Sequence, residues 1–112
     1  MSGRYDALVR AFRRAVLESE AHTDPTLRAA VESRAAALGG RPGETAPDLP
    51  APLRHYVDTV ARHAWKVTDA DVDALRRAGY SEDAIFEITA SAAMGASLGR
   101  LERAYAALRR EV

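Results

Sequence analysis

The side chains best suited to moving protons are few and lie mostly in the middle of the chain. His63 follows Tyr56 by seven residues, so a helix running through both would set them on one face. An imidazole there can act as a general base near neutral pH. It can equally pack at a helix C-terminus, where the dipole favours a cation. His55 stands three residues before Asp58, off the main apolar stripe, and is expected to be solvated. Asp71 follows Thr68 at the spacing of a capping box, a role that needs no active site. Glu87, beside Phe86, is expected at the surface or in an ion pair, and Trp65 as a core or interface anchor. A proton-transfer site for a small carboxylate would gather His63, Asp71 or Tyr56 around a cation such as Arg100.

Other chemistries lack their parts. The chain has no cysteine, which removes thiol catalysis, thiolate metal ligation and disulfides. Its histidines, at 22, 55 and 63, form no His-x-x-His or Glu-x-x-His pair, so no metal is expected. There is no Gly-rich phosphate loop and no G-x-S-x-G elbow, and no cofactor is expected. The 16 basic and 16 acidic residues are interspersed, without the basic stripe of a nucleic-acid or anionic-membrane binder. No apolar run nears the roughly 20 residues that span a bilayer. No basic segment leads into an apolar one at the amino terminus, so no signal peptide is expected and the location expected is cytoplasmic.

The elements that would position these residues are helices. In 112 residues, 47% are hydrophobic but only 6% aromatic, so the core must be built from Ala, Val and Leu. Alanine has no side-chain entropy to lose in a helix. Tyr5, Leu8, Val9, Phe12 and Val16 recur at helical spacing within a first helix from Ser2 to about Ala21. Asp24-Pro25 opens a second, through Leu27, Val31, Ala35 and Leu38, and Gly39-Gly40 ends it. Residues 39–50, rich in proline, form a loop expected to be mobile or to lie on the surface. A third helix starts near Pro52 and carries Leu53, Tyr56, Val57 and Val60 to about Trp65. Thr68 to Asp71 caps a short fourth, which stops at Gly79. Ser81 caps the fifth and longest, running to about Arg109, with Glu82 and Asp83 at its positive end. No segment alternates with period two. The expected fold is an all-α, single-domain bundle of about five helices.

On the fifth helix, Ser91, Gly95 and Gly99 recur every four residues. Glycine within a helix costs up to about 1 kcal/mol relative to alanine. Two on one stripe therefore imply close approach of another backbone, either the third helix or the same helix of a second subunit. The fourth and fifth helices also imitate a helix-turn-helix. The second of them, however, opens on Glu82 and Asp83, where phosphate contacts need cations, so no nucleic-acid partner is expected.

The stretch His63 to Leu101 resembles the second half of the carboxymuconolactone decarboxylase/AhpD-like proteins, with weaker similarity from Pro52. That family has a helix bearing C-x-x-C-x-x-x-H, then a Gly, then a Ser-capped helix with an acidic start. Leu75, Gly79, Ser81 and the run Glu82-Asp83-Ala84-Ile85 correspond to the later part, and Arg100-Leu101 is similar to peroxidase-related members. Counted back from Gly79, the family's histidine falls at Asp71 and its cysteines at Ala64 and Val67. Its upstream glutamate falls on Pro52, or on His55 if a gap is allowed. The resemblance implies an AhpD-like helical fold over the whole chain, strongest over 52–108, and domains that assemble as homo-oligomers. With Ala64 and Val67 in place of thiols, the family's thiol-dependent hydroperoxide reduction is chemically impossible. The expectation is a redox-inactive homo-oligomer with an accessory or small-molecule-binding role. The alternative is a cysteine-independent acid/base enzyme acting on a small carboxylate or lactone.

Overall fold

The computed structural model describes residues 6–18 and 20–109, and among them the structure is all-helical. Five helices are present: α1 (Asp6–Glu18), α2 (Pro25–Gly39), α3 (Ala51–His63), α4 (Asp69–Arg77) and α5 (Glu82–Leu108), with a 3-10 turn at Ala64–Lys66 between α3 and α4. Ser2 and Tyr5, expected in the first helix, lie outside the described residues.

Local chemistry starts and stops these helices. Asp24 accepts the Thr26 N–H at 2.8 Å, with Pro25 at the first helical position. Thr68 and Asp71 form a reciprocal capping box at the start of α4, and Ser81 Oγ accepts the Ala84 N–H at 3.1 Å. α2 ends in a Schellman motif: Gly40 adopts φ 108°, and the N–H groups of Gly40 and Arg41 reach the carbonyls of Ala37 and Ala36.

The bundle is organised around α2 and α5, the most closely packed pair. A Cβ built on Gly95 would lie 2.4 Å from the Glu32 carbonyl oxygen, and one on Gly99 2.3 Å from that of Ala36. Both contacts are far inside van der Waals distance, so only glycine permits the approach. Since Gly95 faces Glu32, Gly99 faces Ala36 and Arg103 reaches Gly40 O, the two helices run parallel. The close approach read from Gly95 and Gly99 is thus made inside the chain to α2; α3 is not the partner.

α3 covers one side of this pair and α1 packs along another. Val31 and Ala35 of α2, Leu53 and Val57 of α3, Leu75 of α4, and Ile88 and Ala92 of α5 form the main core, each fully buried. A smaller cluster of Leu17, Met94 and Leu98, with Val9 and Val16 against it, sits under α1. The loop after α2 is pinned to this body. Leu49 is in the core at 5% exposure, Pro47 O accepts from Arg34, and Asp48 pairs with Arg54.

Candidate functional site

Two helix ends meet where α3 gives way to α4. His63 leaves helical geometry at φ −147°, a 3-10 turn follows, and the Thr68 box restarts the helix. The corner encloses an open groove of about 480 Å³ lined by His55, Asp58, Thr59, Arg62, His63, Lys66, Thr68 and Asp71.

Its two carboxylates are engaged from within the fold. Asp58 accepts both prongs of the Arg34 guanidinium, at 2.6 and 2.9 Å. Asp71 accepts the Thr68 N–H at 3.0 Å and lies 3.3 Å from His55 Nε2. The Thr68 backbone bond, chiefly, holds the Asp71 carboxyl below its ordinary pKa, with the Thr68 hydroxyl and His55 adding to it. The cations are less committed. Neither Arg62 nor Lys66 has a carboxylate partner among the described residues. Lys66 Nζ lies 5.0 Å from the Trp65 ring, and His63 meets that ring edge-on with centroids 5.7 Å apart. The groove therefore presents uncompensated donors and positive charge, together with a His–carboxylate pair able to accept a proton. No group of three or more metal-ligating side chains forms among the described residues.

Three of the residues singled out in sequence meet here: His55, His63 and Asp71. His55 is exposed, but its carboxylate neighbour is Asp71 across the groove; Arg34 has taken Asp58. His63 and Tyr56 do not come together: Tyr56 is buried, whereas His63, the last residue of α3, is exposed on the groove. Tyr56 is buried and its hydroxyl meets Thr89 Oγ1 at 2.6 Å. Arg100 donates to Ala61 O near the C-terminal end of α3, where a cation complements the dipole, and it does not line the groove. Glu87 clamps the approach to α2, accepting from the backbone of His22 and from both the N–H and hydroxyl of Thr23. Trp65 is not a core residue. At 78% exposure it stands on the 3-10 turn, beyond the last turn of α3 that another helix covers.

The chain matches no known protein family, no curated protein and no solved structure.

One further charged constellation has no forewarning among the residues weighed in sequence. Glu32, with no exposed surface, accepts two bonds from Arg13 (2.7 and 3.0 Å) and two from Arg41 (2.9 and 2.8 Å). Arg41 also pairs with Glu102. Burial alone would push the Glu32 carboxyl up, but the two guanidinium groups hold it below its usual value. An adjoining cavity of about 510 Å³ is lined by Arg13, Arg41, Glu44 and Glu102. Their opposite charges answer one another, so this cluster ties α1, α2 and α5 together. The signal in sequence was the four-residue spacing of Arg28, Glu32 and Ala36 beside the apolar Val31 and Ala35.

Proposed function

We propose that this protein is a binding module for a small anion, a carboxylate by preference, held in the α3–α4 groove, and that it works as a homo-oligomer without thiol chemistry. The observation that carries the reading is the imbalance within the groove: Asp58 and Asp71 are satisfied internally, while Arg62 and Lys66 have no carboxylate partner among the described residues. An incoming carboxylate would supply the acceptor those cations lack, and charge-assisted bonds are the stronger kind. Kinship with the carboxymuconolactone decarboxylase/AhpD-like proteins belongs to the same proposal. It is supported by the groove wall running through 63–71, the stretch in which Ala64, Val67 and Asp71 stand for that family's redox residues.

The test is a thermal-shift titration with succinate, benzoate and inorganic phosphate. A ligand that binds only the folded state must raise Tm. Wild type should respond to at least one carboxylate, and the Arg62→Gln/Lys66→Gln double variant should not. Equal shifts in both proteins would sink the groove as the binding site.

The His55–Asp71 pair favours a second reading, proton transfer on the bound carboxylate, with His55 as base and Asp71 orienting it. Deuterium exchange at the carbon alpha to the carboxylate, abolished in His55→Gln with binding retained, would establish it. No exchange in wild type would leave binding alone.

A further inference from the structure

The outer face of α5 differs from an ordinary solvent face. Between Phe86 and Leu108, a span of about 33 Å at 1.5 Å per residue, an uncharged stripe runs along its outward side, bordered by the exposed Arg100, whose guanidinium turns aside to Ala61 O. Phe86 is 74% exposed, Leu101 44% and Leu108 80%. Between them lie Ala93, Ser97 and Ala104, all exposed, and Ala90, half-buried. The Ser97 hydroxyl donates to Ala93 O at 2.8 Å, so even the polar member is satisfied within its own helix. An exposed apolar strip of this length marks an interaction surface.

The order of residues along the stripe identifies the occupant. Successive members are separated by 4, 3, 4, 4, 3 and 4 residues, a series that reads the same in both directions. Reversed about Ser97, Phe86 falls opposite Leu108, Ala90 opposite Ala104, and Ala93 opposite Leu101, while Ser97 meets itself. The two large residues at the ends close over each other, and the small centre lets the backbones approach. The stripe repeats every 11 residues, so it stays on one side of a nearly straight helix. Antiparallel pairing also opposes the helix dipoles and sets the exposed Glu82 and Asp83 of one copy within a turn of Arg109 of the other.

We infer that α5 pairs antiparallel with α5 of a second copy through this stripe, with the two-fold axis at Ser97. Such a contact is isologous, as a closed dimer requires. It rests on the homo-oligomer part of the proposed function and names its surface; it does not depend on the groove. The Gly95–Gly99 stripe lies against α2 and takes no part.

Because the chain has no cysteine, single thiols can map the axis. Wild type should sediment as a dimer, and Ser97→Glu, which sets two like charges across the axis, as a monomer with an unchanged circular dichroism spectrum. Under mild oxidation Ser97→Cys should cross-link to itself. Ala90→Cys and Ala104→Cys should cross-link when mixed but not singly. A monomeric wild type up to about 0.5 mM, a concentration that would populate even weak specific association, would overturn the inference and leave the face to a different protein. Self-linking of Ala90→Cys as efficient as that of Ser97→Cys would overturn the antiparallel register. Carboxylate titration of Ser97→Glu separates the two proposals: a retained Tm shift with lost dimerisation means that the groove works without this interface.

Discussion

The α2–α5 seam and the α3–α4 groove both gather charged side chains, yet they treat them in opposite ways. In the seam, Glu32 is stripped of water and receives four hydrogen bonds from two arginines. Removing a carboxylate from water costs several kcal/mol, and only such complete pairing offsets it. In the groove, Arg62 and Lys66 stay at the surface and meet no carboxylate among the described residues. The first arrangement fixes how helices meet; the second leaves charge available to a ligand. Residue type alone does not tell them apart, since each cluster contains arginine and a carboxylate. What separates them is whether every charge has a partner in the fold.

The comparison breaks first at Glu32. Glu32→Leu keeps the volume but leaves both arginines without their acceptor. Arg13 is partly exposed and can turn to water, and Arg41 retains Glu102. The expected loss, read from chemical denaturation, is therefore about 3 kcal/mol, the lower end of the range for breaking a buried pair. The pH dependence has a definite sign. The folded-state pKa of Glu32 lies below its ordinary 4.5, so its contribution is complete above that value and is lost as pH falls through the folded pKa. Wild type should lose stability below about pH 4.5, and the part due to Glu32 should be missing in Glu32→Leu. An unchanged acid profile in the variant would mean that the pairing contributes nothing.

Next in size is Gly99→Ala. Helix propensity alone favours alanine by up to about 1 kcal/mol. The new methyl, however, would sit 2.3 Å from the Ala36 carbonyl oxygen, and backbone yields less readily than a side chain. Overpacking of this kind costs about 1–3 kcal/mol, occasionally more. The net effect should be destabilising, and a raised Tm would show that the seam can open without penalty.

How far this was legible in the chain follows from the range of each interaction. The caps at Asp24, Thr68 and Ser81 are decided within four residues, and all three are as the sequence suggests. Gly95 and Gly99 announce a close approach but not its partner, because the opposing surface is backbone, which carries no sequence signature. The groove was legible in its members His55, His63 and Asp71, but not in Arg62 and Lys66. Continuing the third helix to Trp65 hides the 3-10 turn at Ala64–Lys66 and with it the corner that brings the cations in. Glu32 is illegible for a related reason: its partners lie 19 and 9 residues away, at Arg13 and Arg41, and no local spacing pairs them.

Ser91 gives a smaller effect of opposite sign. It is fully buried one turn before Gly95, and its hydroxyl has no hydrogen-bond partner among the described residues. An unsatisfied buried polar group costs about 1–3 kcal/mol. Ser91→Ala removes it, fits the same space and raises helix propensity. A gain of about 1 kcal/mol is expected, seen as a Tm rise of roughly 4 °C for a chain of this size. A loss would mean that the hydroxyl has a partner in solution, and the seam would then be wetter than its packing implies.

The smallest effect on stability should come from the groove. Arg62→Gln/Lys66→Gln removes two charges, as many as the seam holds in Arg13 and Arg41. Both side chains are exposed and neither has a carboxylate partner among the described residues, so the change should stay within about 0.5 kcal/mol. Replacing such cations relieves no burial and strands no carboxylate: Asp58 keeps Arg34, and Asp71 keeps Thr68. A near-zero stability change together with a lost carboxylate-dependent Tm shift would mark these charges as held for a ligand. A loss comparable to that of Glu32→Leu would instead make the groove a second structural cluster, and the contrast between the two regions would disappear.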